Sequence, residues 1–175
     1  MITPILETDR LILRLLKIDD AEEVFKNWSS DSETTKYMEW DMHTNINVTK
    51  EWLNAEEKLI YNDKNYTWGL ELKKTGALIG SGGITYNPKV KMYEIGYIIM
   101  RQYWGQGIIS EAVEKIIHFA KSQLGINELF AKHAKKNLAS RHILEKMGFV
   151  YLKDGKYSKF SGDVEFESRE YILRI

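Results

Sequence analysis

The order of hydrophobic periodicities along this chain predicts an α+β fold built on a mostly antiparallel sheet. Two observations carry that prediction. Runs of period 2 and of period 3.6 follow one another as β-α-α-β-β-β-α-β-α-β-β, without the strict alternation a doubly wound nucleotide fold requires. A strand at Tyr93-Glu94-Ile95-Gly96-Tyr97-Ile98-Ile99-Met100 passes through Arg101-Gln102-Tyr103-Trp104-Gly105-Gln106-Gly107 directly into a long amphipathic helix, and the other elements are arranged around that stretch.

In chain order, Arg10–Leu16 reads as a first strand, and Asp19 and Asp20 open a helix with acids where its dipole favours them. Residues 31–43 are irregular or weakly helical. A second helix is expected at 47–62, with Val48, Trp52, Ala55, Leu59 and Ile60 on its inner face. Tyr66–Leu72 and Leu78–Tyr86 are strands joined by a turn at Lys73-Lys74-Thr75-Gly76. Asn87-Pro88-Lys89 turns back into the central strand. The long helix shows Ile108, Ile109, Ala112, Val113, Ile116, Ile117, Ala120 and Leu124 on one face, and Gly125 closes it. Glu128–His133 is a short strand. Leu138–Met147 is a helix with Asn137 as N-cap and Gly148 as its stop. Phe149–Lys153 and Val164–Leu173 form a closing hairpin-like pair.

The 175 residues are read as one domain, 1–175, since 2 prolines and no low-complexity segment leave no obvious linker. With 25 basic and 25 acidic residues the formal net charge is +0, so no global field draws the chain to nucleic acid or to a membrane surface. A cysteine count of 0 removes disulfides, thiolate metal sites and a cysteine nucleophile together. No leader and no bilayer-length apolar run is visible, and a cytoplasmic location is expected. The histidines are not at metal spacing, so no metal is expected.

The stretch between the central strand and its helix has the makings of an anion cradle. Glycines admit a ligand close to the backbone, and the first turn of the helix offers unpaired N–H groups at the positive end of its dipole. A P-loop is excluded because no Lys-Ser/Thr follows, and a dinucleotide fingerprint because Ser110 stands where the third glycine belongs. The motif present, Gln102-Tyr103-Trp104-Gly105-Gln106-Gly107, resembles the pyrophosphate loop of the GNAT superfamily of acetyl-CoA-dependent N-acetyltransferases. Downstream, Asn137-Leu138-Ala139-Ser140-Arg141 followed by Leu144-Glu145-Lys146-Met147-Gly148-Phe149 looks like a signature of the ribosomal-protein N-terminal acetyltransferases of the RimJ/RimL type. Glu94-Ile95-Gly96-Tyr97, Ser110-Glu111-Ala112 and Thr8–Arg14 match the same branch, so the resemblance covers nearly the whole chain. It implies the GNAT (acyl-CoA N-acyltransferase) fold: a mixed, mostly antiparallel sheet with helices on both faces and splayed central strands.

The resemblance further implies direct acetyl transfer from acetyl-CoA to a primary amine, with both substrates bound together and no metal. Pantetheine would pair with main chain near Ile98, Ile99 and Met100, and the pyrophosphate with the amides of Gln102, Gly105, Gln106, Gly107 and Ile108. Asn137 and Arg141 would complete the cofactor contacts, although capping alone also explains Asn137. Gly96 within a strand is consistent with a close backbone approach there. Glu94 is the candidate base, since alternation puts it on the face of Gly96, Ile98 and Met100; the alternative is a solvated or cross-strand-paired carboxylate. The resemblance makes Ser140 the candidate proton donor to the departing thiolate, against the reading of an ordinary helix-surface hydroxyl. Lys132, Lys135 and Lys136 are either a solvated face or an attraction for CoA phosphates.

The resemblance also implies that the first helices and their connection form the acceptor wall; that region is acid-rich here, and Tyr37, Glu39 and Trp40 are its candidate substrate contacts. A protein N-terminus, a polyamine or an aminoglycoside would all suit its charge. Glycine-rich Ser81-Gly82-Gly83 faces the same groove or forms a simple β-bulge. The rival function is an acyl-CoA-binding module with little turnover. The chain is expected to be a monomer or a homodimer.

Overall fold

The computed structural model describes residues 1–175. Eight strands form one sheet in the order β1-β2-β3-β4-β5-β6-β8-β7. They are β1 (Leu6–Glu7), β2 (Leu11–Arg14), β3 (Asn65–Leu72), β4 (Leu78–Asn87), β5 (Met92–Ile99), β6 (Glu128–Ala134), β7 (Val150–Ser158) and β8 (Glu165–Arg174). Every neighbouring pair is antiparallel except β5–β6. The helices are α1 (Ala21–Val24), α2 (Ile46–Leu59), α3 (Ile108–Leu124) and α4 (Leu138–Lys146). The architecture is α+β, as the periodicities predict.

Two cores lie on opposite faces of the sheet. The larger gathers Ile95 and Ile99 of β5 with Ala112, Val113, Ile116 and Phe119 of α3 and Leu144 of α4. Phe119 stands edge-on to Trp68, with ring centroids 5.2 Å apart and planes at 81°, a geometry that aromatic quadrupoles favour. The smaller core joins Ala21, Val24, Trp28 and Leu53 to Leu78 and Ile98. Ile98 and Ile99 therefore face opposite cores, as strand alternation demands.

The elements differ from the sequence expectations mainly at their ends. The first strand is only Leu11–Arg14, preceded by a two-residue strand that the periodicity does not reveal. The first helix is one α turn continued by a π turn, Phe25–Ser29. The second spans Ile46–Leu59, capped by the Asn45 side chain accepting from Asn47 N. Most of β7 lies beyond the predicted 149–153. As the edge strand it is exposed along nearly its whole length, so Lys153-Asp154-Gly155-Lys156 shows no buried alternation to read. Gly125 closes α3 at φ +65°, as expected.

The glycines of β4 serve strand packing. A Cβ on Gly80 would lie 2.2 Å from the Ile98 carbonyl oxygen, and one on Gly83 2.2 Å from that of Tyr66. The bulge of this strand falls before them, where the register against β3 shifts at Leu70/Glu71.

Candidate functional site

The single parallel junction makes the site. β5 and β6 share only the pairs Tyr93↔Leu129 and Glu94↔Phe130, and beyond them the strands part. The gap widens into a cleft of about 460 Å³ lined from β5, β6, α4 and the 33–39 connection. Because the two strands are parallel, both helices that follow them, α3 and α4, begin at its open end. Two positive helix ends therefore face one opening, the usual position for an anionic ligand in a sheet with parallel strands.

Main-chain accounting along β5 decides which groups face the gap. Ile98 is in register with Ser81, and Met100 N–H donates to the Ile79 carbonyl at 2.8 Å, so the even-numbered residues are turned toward β4. Alternation leaves Tyr97 and Ile99 facing the gap, and the Ile99 carbonyl already accepts from the Trp104 indole at 2.9 Å. Of the expected trio, Ile98 and Met100 bond main chain to β4 while Ile98 also lines the cleft, and Tyr97 joins Ile99 on the gap side. Gly96 lines the cleft, and a Cβ there would meet nothing within 4 Å.

The loop leading to α3 has Gly105 and Gly107 at φ +71° and +72°, where side chains are strained. Gly107 is the N-cap of α3 and no side chain caps that end. Ile108 places its side chain in the core, so it can offer a ligand only its amide. Gln102 and Gln106 are exposed and bonded to each other, Gln106 Nε2 donating to the Gln102 carbonyl at 2.8 Å. Arg10 braces the loop from β2's end: its Nη1 donates to the Gln106 carbonyl at 3.0 Å and its Nε to Glu111 at 2.6 Å. Burial acts to raise the Glu111 carboxyl, but bonds from Thr8 and Arg10 outweigh it and hold it below the usual range. Arg10 is a brace that sequence spacing does not reveal, since its partners are about a hundred residues away.

On the α4 side, Asn137 caps the helix, its Oδ1 accepting from Ser140 N at 3.2 Å. Ser140 Oγ lies 2.9 Å from the Tyr97 hydroxyl. Burial pushes the Tyr97 phenol up to about 12 despite the opposing effect of that bond, so it is a neutral donor at any ordinary pH. Arg141 is paired with Glu145 at 2.7 Å and is not among the cleft-lining residues. The i,i+4 partner on its own helix engages its Nε, and the side chain is 41% exposed.

Glu94 lies on the opposite side of the sheet, where α1 and α2 pack. Its carboxylate accepts from Asn87 Nδ2 at 2.6 Å and is 3.2 Å from Lys132 Nζ. Lys132 also reaches Glu39 at 3.0 Å and lies over the Tyr157 ring. Burial acts to lower the Lys132 ammonium, but Glu94 and Glu39 outweigh it and raise it above its usual value. Neither a solvated face nor a phosphate anchor describes Lys132; it is the central member of a carboxylate–ammonium–carboxylate cluster.

Of the three expected substrate contacts, Tyr37 and Glu39 line the cleft and Trp40 does not. Trp40 packs against the smaller core, its ring 5.2 Å from that of His43. Ser81, Gly82 and Gly83 do not line the cleft either. His133 does, but it is buried, with Nδ1 on the Ala134 carbonyl and Nε2 toward the Tyr171 hydroxyl. No group of three or more His, Asp or Glu side chains is placed to hold a metal ion. No helix is long and apolar enough to cross a membrane.

Residues 10–150 match the acetyltransferase (GNAT) domain family. The chain is 36% identical over 147 residues to the uncharacterized N-acetyltransferase YoaA of Bacillus subtilis, covering 83% of this chain and 82% of that one. Its fold matches the ribosomal-protein-S5-alanine acetyltransferase of Vibrio fischeri with a TM-score of 0.77 at 17% identity, over 98% and 96% of the two chains. It matches the microcin C7 self-immunity acetyltransferase MccE, solved with acetyl-CoA and AMP, with a TM-score of 0.82 at 19% identity, over 96% and 94%. At such identities these two solved structures speak for the fold alone.

Proposed function

Because the chain belongs to the GNAT acetyltransferase family, and is thus an N-acetyltransferase that uses acetyl-CoA, we propose that it acetylates a primary amine directly within the β5–β6 cleft. The observation that carries this reading is the cleft's polarity. One end opens on two helix N-termini and a glycine loop suited to pyrophosphate, and the other holds Glu94, Lys132 and Glu39.

In this reading pantetheine replaces the missing strand pairing beside Tyr97 and Ile99, and the thioester lies between Ser140 and Glu94. The acceptor ammonium enters past Tyr37 and Glu39 and gives a proton to Glu94, directly or through water. Its nitrogen then attacks the thioester carbonyl; the new C–N bond forms, the C–S bond breaks, the thiolate takes a proton from Ser140 Oγ, and the second proton shed by the former ammonium nitrogen passes through water to restore the serine hydroxyl. The Tyr97 and Ser140 hydroxyls are paired and either can donate; in this reading Tyr97 is the donor, which leaves the serine's own hydrogen for the gap. The Tyr97 amide stabilises the oxyanion. Held in attack geometry, the two reactants gain on the order of 7–11 kcal/mol from orientation alone.

The acceptor carries positive charge in this account, because Glu39 and Glu94 share one lysine between them. A peptide N-terminus, a polyamine and an aminoglycoside all present such an amine. The test is CoA release from acetyl-CoA with one member of each class. Release with at least one probe, abolished by Glu94→Gln, supports the reading; CoA binding without release from any probe favours an acyl-CoA-binding module.

A further inference from the structure

The segment that walls the acceptor side, residues 35–41, belongs to no helix or strand, yet five of its carbonyls accept from the β7–β8 hairpin. Lys159, near the tip of the β7–β8 hairpin, donates from Nζ to the carbonyls of Thr35 at 3.1 Å, Met38 at 3.0 Å and Trp40 at 3.2 Å. The Tyr157 hydroxyl donates to the Tyr37 carbonyl at 2.7 Å, and Phe160 N–H to that of Glu39 at 2.7 Å. Asp41 closes the far end, accepting from Ser161 N at 3.0 Å and Ser161 Oγ at 2.8 Å.

An ammonium has three N–H donors and no acceptor, and here all three are met by main-chain oxygen. It does for this loop what a small cation does in a carbonyl cage. No carboxylate bonds it; Asp41 is the charged group that acts on it, from the same loop. With carbonyls 35, 38 and 40 drawn inward, the Tyr37, Met38 and Glu39 side chains are directed into the cleft, while Lys159 itself is not among the lining residues.

We infer that Lys159 is a positioning residue for acceptor recognition: its ammonium folds the 35–40 segment into the wall that presents Tyr37 and Glu39. The inference rests on the assignment of that wall to the acceptor. Two consequences are specific. Geometry matters beyond charge, because a planar guanidinium cannot turn three donors toward carbonyls converging on one tetrahedral nitrogen. The effect also stays local, since the cofactor side is built from other segments.

The experiment compares wild type, Lys159→Met and Lys159→Arg, with the arginine variant retaining the charge. Amide exchange over 35–41, acetyl-CoA Kd, and KM and kcat for whichever probe among spermidine, kanamycin and a free-N-terminus hexapeptide gives turnover are measured. Both variants are expected to exchange faster over 35–41 and to raise the acceptor KM by about tenfold or more, with acetyl-CoA Kd within about twofold of wild type. Unchanged exchange and unchanged KM in the arginine variant would overturn the cage. Faster exchange with an unchanged acceptor KM would overturn the inference and remove the wall from the acceptor site, leaving the family chemistry untouched.

Discussion

The two sides of the cleft are constructed by different means. The side proposed for the pyrophosphate is one contiguous stretch, β5 through α3, punctuated by two left-handed glycines whose main chain would meet the ligand. The acceptor side is assembled from a loop near residue 37 and a hairpin about 120 residues later, joined through side chains. Asp31 and Arg101 pair across the two, and the arginine holds the Asp31 carboxyl below its usual range. A main-chain cradle keeps its chemistry whatever the flanking side chains are. A side-chain-stitched wall can change acceptor by changing a few residues.

Substitutions can break that contrast, and the largest effect should come from the chemistry both sides share. Glu94→Gln is expected to lower kcat about 100-fold or more at neutral pH, with recovery toward high pH where the amine deprotonates unaided. A pH–rate profile parallel to wild type would remove the base role. Gly107→Val forces a β-branched residue to φ +72° at the uncapped end of α3. Acetyl-CoA affinity by calorimetry should fall about tenfold or more, from a strain of about 1–2 kcal/mol together with loss of the close approach. Retained affinity would move the pyrophosphate elsewhere. Ser140→Ala should slow turnover, and Tyr97→Phe should slow it by less, because it removes only the donor that aims the serine. Full activity in the alanine variant would make water the proton source.

The smallest effect concerns stability. The Lys132 ammonium is raised in the folded state, so its contribution is complete below the ordinary lysine value of 10.5 and is lost as pH rises through the higher folded value. Lys132→Met should therefore cost about 1–2 kcal/mol at neutral pH, and the gap in Tm should close only on strongly alkaline titration. A gap that stays open through the alkaline titration would remove the ammonium's part in the cluster.

Legibility followed the same division. β5, the glycine loop and α3 could be read because period, glycine spacing and capping are local properties, and Asn137 and Ser140 could be read because one helix turn carries both. Trp40 was misplaced because an aromatic residue beside an acid is equally consistent with a core, and the smaller core claimed it. Which β5 residues bond main chain to β4 is not legible, because periodicity shows which residues alternate but not which set meets which neighbour. Arg10, Lys132 and Lys159 depend on partners far along the chain, and no local pattern marks them.

The lone parallel junction has a mechanical consequence. Five strands on one flank and three on the other form two antiparallel blocks, and the hem between them is two register pairs long. A guest that lies along Tyr97 and Ile99 lengthens that hem. Saturation at about 100 times its Kd should add about 2.7 kcal/mol to unfolding, with slower exchange concentrated at those two amides. Without a guest the two blocks are thus joined by only those two register pairs, along the line proposed for its entry.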